Sequence, residues 1–304
     1  MAARQIVLNC RHFLNNCSEI SVKVPWGQVK GIEIGPKDAP PVLMVHGWLD
    51  NCYSFVPLLT MLPKNRRYIA LDLPGHGHSS HKPTGCYNLI LNAVVDLEHI
   101  RRNLNLEKFT FIGHSMSGIL GILYSSTYPE HIDRTVVLDS LFPFVKESSE
   151  VVTNLRKASD DLVIDAFRCK TYKDVNTLAA AKSLSTWYIG LDAALCQLIV
   201  ERNTVPCEGG IRQLYDPKLR YSSLVYLTKE QYMEFLKAQQ KPVLYLEGDR
   251  GVTSILPSLK GLYEIAKSAV SNNLITSEVI EGPHHFHMEN PDATALSISR
   301  FMDS

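Results

Sequence analysis

Six consecutive residues, Gly113, His114, Ser115, Met116, Ser117 and Gly118, have the sizes and order needed to expose one reactive hydroxyl. They follow the β-branched and aromatic run 109–112 and precede the small, apolar stretch 119–128. A turn this tight between strand and helix strains its middle residue and lifts that side chain clear of the sheet, so its neighbours must be small. Ser117 stands where the usual Gly-x-Ser-x-Gly pattern has its second glycine, and serine is small enough to pass. The chemistry implied is nucleophilic attack by Ser115. The competing reading is a Gly/Ser turn without chemistry.

A serine hydroxyl needs a base to take its proton. Residues 282–291 contain His284, His285 and His287 between the last predicted strand and the last predicted helix. His284 follows that strand most closely and is the expected base, His285 is the runner-up, and His287 is expected to pack or to cap the helix. A tetrahedral oxyanion would need two backbone N–H groups. Met116, directly after the nucleophile, offers one, and Trp48 in His46-Gly-Trp48 offers the other. Two carboxylates compete to orient the histidine. Asp139 directly follows an apolar strand, whereas Asp249 follows Gly248 without the usual spacer and has Arg250 beside it as a local partner. The preference is for Asp139, and both stay candidates.

These residues require a sheet whose strand ends converge. Strands are predicted over 20–24, 29–34, 41–46, 67–73, 109–113, 135–138, 243–247 and 275–280, with helices over 88–104, 119–128, 255–270 and 292–302. Strands alternating with amphipathic stretches predict an α/β fold with a mostly parallel sheet flanked by helices. The interval from 138 to 243 has little strand character, and Thr228 with Gln231 forms a capping box near its end. It is expected to be an inserted helical cap over 144–240, on a core of 20–143 and 241–304, behind an N-terminal extension of 1–19. Trp48, Phe142, Phe144 and Trp187 are candidate pocket walls or core residues.

The 304 residues are 45% hydrophobic and 20% charged, with 31 basic and 31 acidic side chains. That balance gives no field for nucleic acid or an anionic membrane, and no apolar run reaches spanning length. Seven scattered cysteines without a CxxC pair argue against a disulfide framework and for a reducing compartment. Arg4 and Arg11, with no acid before Glu19, allow a mitochondrial presequence, although a frayed terminus is the simpler expectation.

Val24-Pro-Trp-Gly27, His46-Gly-Trp-Leu-Asp-Asn51, Leu71-Asp-Leu-Pro-Gly-His-Gly-His-Ser79, the Ser115 turn and His284 together resemble the α/β-hydrolase superfamily. Within it they look most like the animal serine hydrolase-like proteins, the group that includes Kraken. The resemblance implies an α/β-hydrolase fold with an inserted helical cap, no cofactor and a poorly defined natural substrate. It suggests a cytoplasmic or peroxisomal location, though Phe-Met-Asp-Ser304 is not a peroxisomal tripeptide. Ser115 excludes the dehalogenase and epoxide hydrolase relatives, which use a carboxylate there.

Two look-alikes are weaker. Gly75-His-Gly77 begins a dinucleotide fingerprint but Ser80 breaks it, and His76, His78 and His81 have metal-cluster spacing without the acid expected before the last histidine. The reading is therefore a serine hydrolase for a small or medium acyl ester or thioester, with no metal, no nucleic acid and no integral membrane segment. The rivals are a ligand-binding pseudoenzyme or receptor, and an acyltransferase or carbon–carbon hydrolase on the same triad. Oligomeric state is not legible.

Overall fold

In the computed structural model the described residues are 3–87, 89–165, 167, 170–269 and 274–304, so Asn88, Cys169 and Val270 lie outside them. The chain runs through β1 (Ser18–Val24), β2 (Gly27–Ile34), β3 (Pro41–Val45), β4 (Arg67–Leu71), β5 (Phe109–His114) and β6 (Ile132–Leu138). After a long interval holding β7 (Thr171–Tyr172), β8 (Thr204–Cys207) and β9 (Gly210–Gln213) come β10 (Val243–Arg250) and β11 (Ile275–Pro283).

Eight of these form one sheet in the order β1-β2-β4-β3-β5-β6-β10-β11. Only the β1–β2 and β2–β4 pairs are antiparallel. The central strands are buried on both faces, as a parallel sheet between helices requires, and their Val/Ile/Leu/Phe runs supply the apolar surface. Register then does the positioning. Val45 pairs with Gly113, His114 with Leu138, and Leu138 with Leu246. Because those pairs are near the carboxyl ends of β3, β5, β6 and β10, the loops leaving these strands emerge side by side. Ligand sites in open α/β sheets form at that edge.

Three expectations change. The N-terminal segment is not frayed from residue 3 onward: Ala3–Leu14 is a helix that buries Ile6, Val7 and Cys10 in the core beside Leu58 and Ile199, with Arg11 ion-paired to Glu201. The described residues of 144–240 lie outside the main sheet, but they are not purely helical. Helices Val151–Ile164, Val175–Ser183, Ala193–Arg202 and Lys229–Lys237 are joined there by a small antiparallel sheet, β7-β9-β8. The Thr228–Gln231 capping box is formed. Finally, β10 does not stop at Glu247 but continues to Arg250, with an irregularity between Gly248 and Arg250. Asp249 therefore sits within a strand rather than on a loop. Among the described residues no helix is long and apolar enough to cross a membrane.

Candidate active site

Ser115 occupies the junction between β5 and the helix Met116–Thr127 with φ 54° and ψ −122°. A non-glycine residue held there costs on the order of 1–3 kcal/mol and persists only where its surroundings over-determine it. Here the Ser115 amide donates to Leu138 O at 2.9 Å, and Ser115 O accepts from the Gly118 amide at 2.8 Å. Ser117, at the position usually held by glycine, is fully buried and donates its hydroxyl to His46 O. The departure from the usual pattern is thus a tie between the turn and the end of β3.

His284 begins the loop after β11, and its ring lies between Ser115 and Asp139. Nε2 is 2.9 Å from Ser115 Oγ, and Nδ1 is 2.6 Å from Asp139 Oδ2. Asp139, itself at φ 61°, is held by a cradle of amides: Gly248 donates to Oδ1 and Val252 to Oδ2, each at 2.7 Å. Gly251 lets that loop close, since a Cβ on it would lie 2.1 Å from Asp139 Oδ1. Asp249 is not part of this group. Its carboxylate accepts from the Gly282 amide at 2.7 Å, lies 3.5 Å from Arg250 and is 44% exposed at the side chain.

Burial holds the His284 pKa well below the usual imidazole value, and His114 nearby pushes the same way. Burial raises the Asp139 carboxyl, opposed by the amides of Gly248 and Val252. A neutral imidazole with Nδ1–H directed at a carboxylate leaves the Nε2 lone pair facing the serine hydroxyl. That is the arrangement a general base needs.

The two proposed oxyanion donors belong to residues that line one cavity with Ser115. Met116 is the first residue of its helix, so its N–H has no intrahelical acceptor. Trp48 follows Gly47, which packs so closely on the nucleophile that a Cβ there would be 3.0 Å from both Ser115 Cβ and His114 Nδ1. The loop 47–51 thus reaches Ser115 because residue 47 is glycine. These groups open into a cavity of about 440 Å³ lined by Trp48, Ile119, Phe142, Phe144, Trp187 and Leu219 among others. The volume is within the ordinary range for small-ligand sites.

His285 and His287 do other work. His285 Nε2 is 3.0 Å from Asp50 Oδ2, and His287 is buried between Phe55 and the rings of His114 and His285. His114 donates from Nε2 to His284 O at 3.0 Å. Asp50, which sequence reasoning passed over, also accepts from Tyr188. Asp50, His114 and His285 place ligand-type atoms within 4.8 Å of one another. With Tyr188 on the other oxygen of Asp50, and Lys182 close enough to lie 4.0 Å over the Tyr188 ring, the group reads as a hydrogen-bonded junction rather than a cation site. The His76, His78 and His81 spacing does not converge: His76 bonds Pro74 O and the Leu49 amide, and His81 bonds Leu214 O.

A strained serine at a strand–helix turn, under a histidine from the end of the last strand, is the geometry of one fold family, and comparison agrees. The family model described as alpha/beta hydrolase fold matches residues 40–291, and the chain belongs to that family. It is 30% identical to a serine hydrolase-like protein of Danio rerio, covering 97% of this chain and 93% of the relative. It is 28% identical to a probable serine hydrolase of Drosophila melanogaster, over 93% of this chain and 87% of that one. A solved hypothetical protein of Pseudomonas aeruginosa PAO1 superposes with a TM-score of 0.83 at 28% identity, over 93% of this chain and 97% of that one. A thioesterase domain from the curacin biosynthetic pathway, at 24% identity and a TM-score of 0.79, over 93% of this chain and 98% of that one, shares the fold.

Proposed function

We propose that the chain is a serine hydrolase that cleaves small or medium acyl esters or thioesters through an acyl-enzyme. The observation that carries this reading is the continuous contact Ser115 Oγ–His284 Nε2, 2.9 Å, and His284 Nδ1–Asp139 Oδ2, 2.6 Å, at the floor of an apolar cavity. Ser115 Oγ attacks the acyl carbonyl while His284 Nε2 takes its proton. Asp139 keeps the other ring proton on Nδ1 and stabilises the imidazolium that forms. The amides of Trp48 and Met116 receive the oxyanion. His284 then protonates the leaving alcohol or thiol, and a water activated by the same nitrogen releases the acid.

Residues 144–240 act as the cap that sets acyl length, a reading supported by Phe144, Leu162, Trp187 and Leu227 in the cavity wall. The six described cysteines are unpaired, which suits a reducing compartment such as the cytoplasm. A series of 4-nitrophenyl esters from acetate to decanoate tests the substrate class. Each methylene buried contributes about 0.8 kcal/mol, so kcat/KM should climb by up to roughly fourfold per carbon until the cavity fills, then fall. A series flat in chain length would remove the acyl pocket, and no turnover on any ester or thioester would favour a pure ligand-binding role.

A further inference from the structure

The loop that carries Trp48 is held by the inserted segment at every residue from 48 to 51. Trp48 Nε1 donates to Leu219 O at 2.7 Å, and Lys182 Nζ donates to Leu49 O at 3.2 Å. Tyr188 donates its hydroxyl to Asp50 Oδ1 at 2.5 Å, and Asn51 Nδ2 donates to Ile199 O at 2.7 Å. Leu219, Lys182, Tyr188 and Ile199 all belong to the interval between β6 and β10. The loop needs such restraint, because Leu49 is a non-glycine residue at φ 59° and the residue before Trp48 is glycine. Left to itself a backbone of this kind has cheaper conformations.

Asp50 extends the connection to the base. Its second oxygen meets His285 Nε2 at 3.0 Å and stands 3.6 Å from His114 Nδ1, and His114 holds the backbone carbonyl of His284. Tyr188, Asp50, His114, His285 and Lys182 are all buried. In a site shielded from water, a hydrogen bond is strong and an unpaired partner is expensive, so the junction has few alternative arrangements.

We propose that the inserted segment builds the oxyanion site instead of only covering it, with Tyr188 and Lys182 acting as positioning residues that fix the Trp48 amide through Asp50 and Leu49. The inference rests on the serine hydrolase reading and adds a role that a size filter does not have. A cap that merely sieves substrates changes their ranking by length. A cap that sets the oxyanion loop changes the rate on the smallest substrate as well, because every acyl transfer passes through the same oxyanion.

The test is 4-nitrophenyl acetate, whose acyl group is too short to need the cap. Removing an oxyanion donor outright costs roughly 100–1,000-fold in kcat, so displacing one by loosening its loop should cost about tenfold or more. Tyr188→Phe and Lys182→Met are each expected to lower kcat on acetate by that factor with KM changed less than about twofold. Tyr188→Phe combined with Asp50→Ala should lose little more than Asp50→Ala alone, since Asp50→Ala already removes the acceptor of the Tyr188 hydroxyl. Val163→Ser, exposed on the helix Val151–Ile164, serves as the control and should keep the wild-type rate. Rates are compared per folded molecule, from near-ultraviolet circular dichroism. If both Tyr188→Phe and Lys182→Met turn over acetate at the wild-type kcat, or lose only KM, the inserted segment does not position the oxyanion loop. If the wild type itself fails on every ester, it is the serine hydrolase reading that falls, which separates the two failures.

Discussion

His284 and His285 are neighbours in sequence, buried side by side, and each meets a carboxylate, yet they are poised for opposite tasks. His284 gives one nitrogen to Asp139 and keeps the other on Ser115. His285 turns Nε2 toward Asp50, and its Nδ1 has no hydrogen-bond partner among the described residues. The rings stand nearly perpendicular, at 88°. The difference comes from the backbone: His284 opens the loop after β11, whereas His285 is the N-cap of the short helix Phe286–Glu289 and turns its ring to Asp50 of loop 47–51. On the proposed mechanism, what separates the two histidines is what lies beyond the second nitrogen, not the presence of a His–Asp pair.

Substitution should separate the two pairs sharply. His284→Gln is expected to lower kcat by about six orders of magnitude, as loss of a triad histidine does. Asp139→Asn should lose roughly four orders, because it stabilises the wrong imidazole tautomer. Asp249→Asn should keep kcat within about threefold, under 1 kcal/mol of barrier. His285→Gln retains a donor for Asp50 and should cost no more than about tenfold. Steady-state kinetics on one activated ester rank all four. Equal losses at Asp139 and Asp249, or at His284 and His285, would mean that the two pairs do not differ in function.

A separate effect is expected on stability. Burial depresses the pKa values of His46, His284 and His287, and takes those of His76 and His285 to about 3. A histidine of lowered pKa binds fewer protons folded than unfolded, so its contribution is intact above about 6.5 and is lost as pH falls below that value. Each such group removes up to roughly 1.4 kcal/mol per pH unit through that window. Asp139, Asp96 and Glu289, with their pKa values raised, work in the opposite direction, but as three groups against six histidines once His78, also depressed, is counted. The urea midpoint should therefore drop steadily between pH 6.5 and pH 4.5. A midpoint that is flat there would mean the histidine cluster is not buried in solution.

Much of this arrangement could be read from sequence because it depends on local patterns. The Ser115 turn is written in six residues, and the central strands are apolar runs of the right length. The preference for Asp139 came from its position directly after an apolar strand. What could not be read was tertiary. Gly251 mattered only because its missing Cβ makes room for a carboxylate more than a hundred residues away. Asp50 looked like an ordinary loop residue, and its partners come from three separate segments. The small sheet in the inserted segment was missed because β7 has two residues and β8 contains Pro206, which weakens the strand signal. The N-terminal helix was missed because its apolar face, Ile6, Val7 and Cys10, is short.

The proposed mechanism requires that Ser115 be the activated nucleophile. A fluorophosphonate probe carries a tetrahedral phosphorus that only an activated serine attacks, and intact-mass spectrometry followed by peptide mapping locates the adduct. Wild-type protein should gain one adduct, mapped to Ser115, with a rate that falls in Asp139→Asn and vanishes in Ser115→Ala. Labelling of Ser115→Ala at the wild-type rate, or an adduct mapped to another serine, would contradict the mechanism.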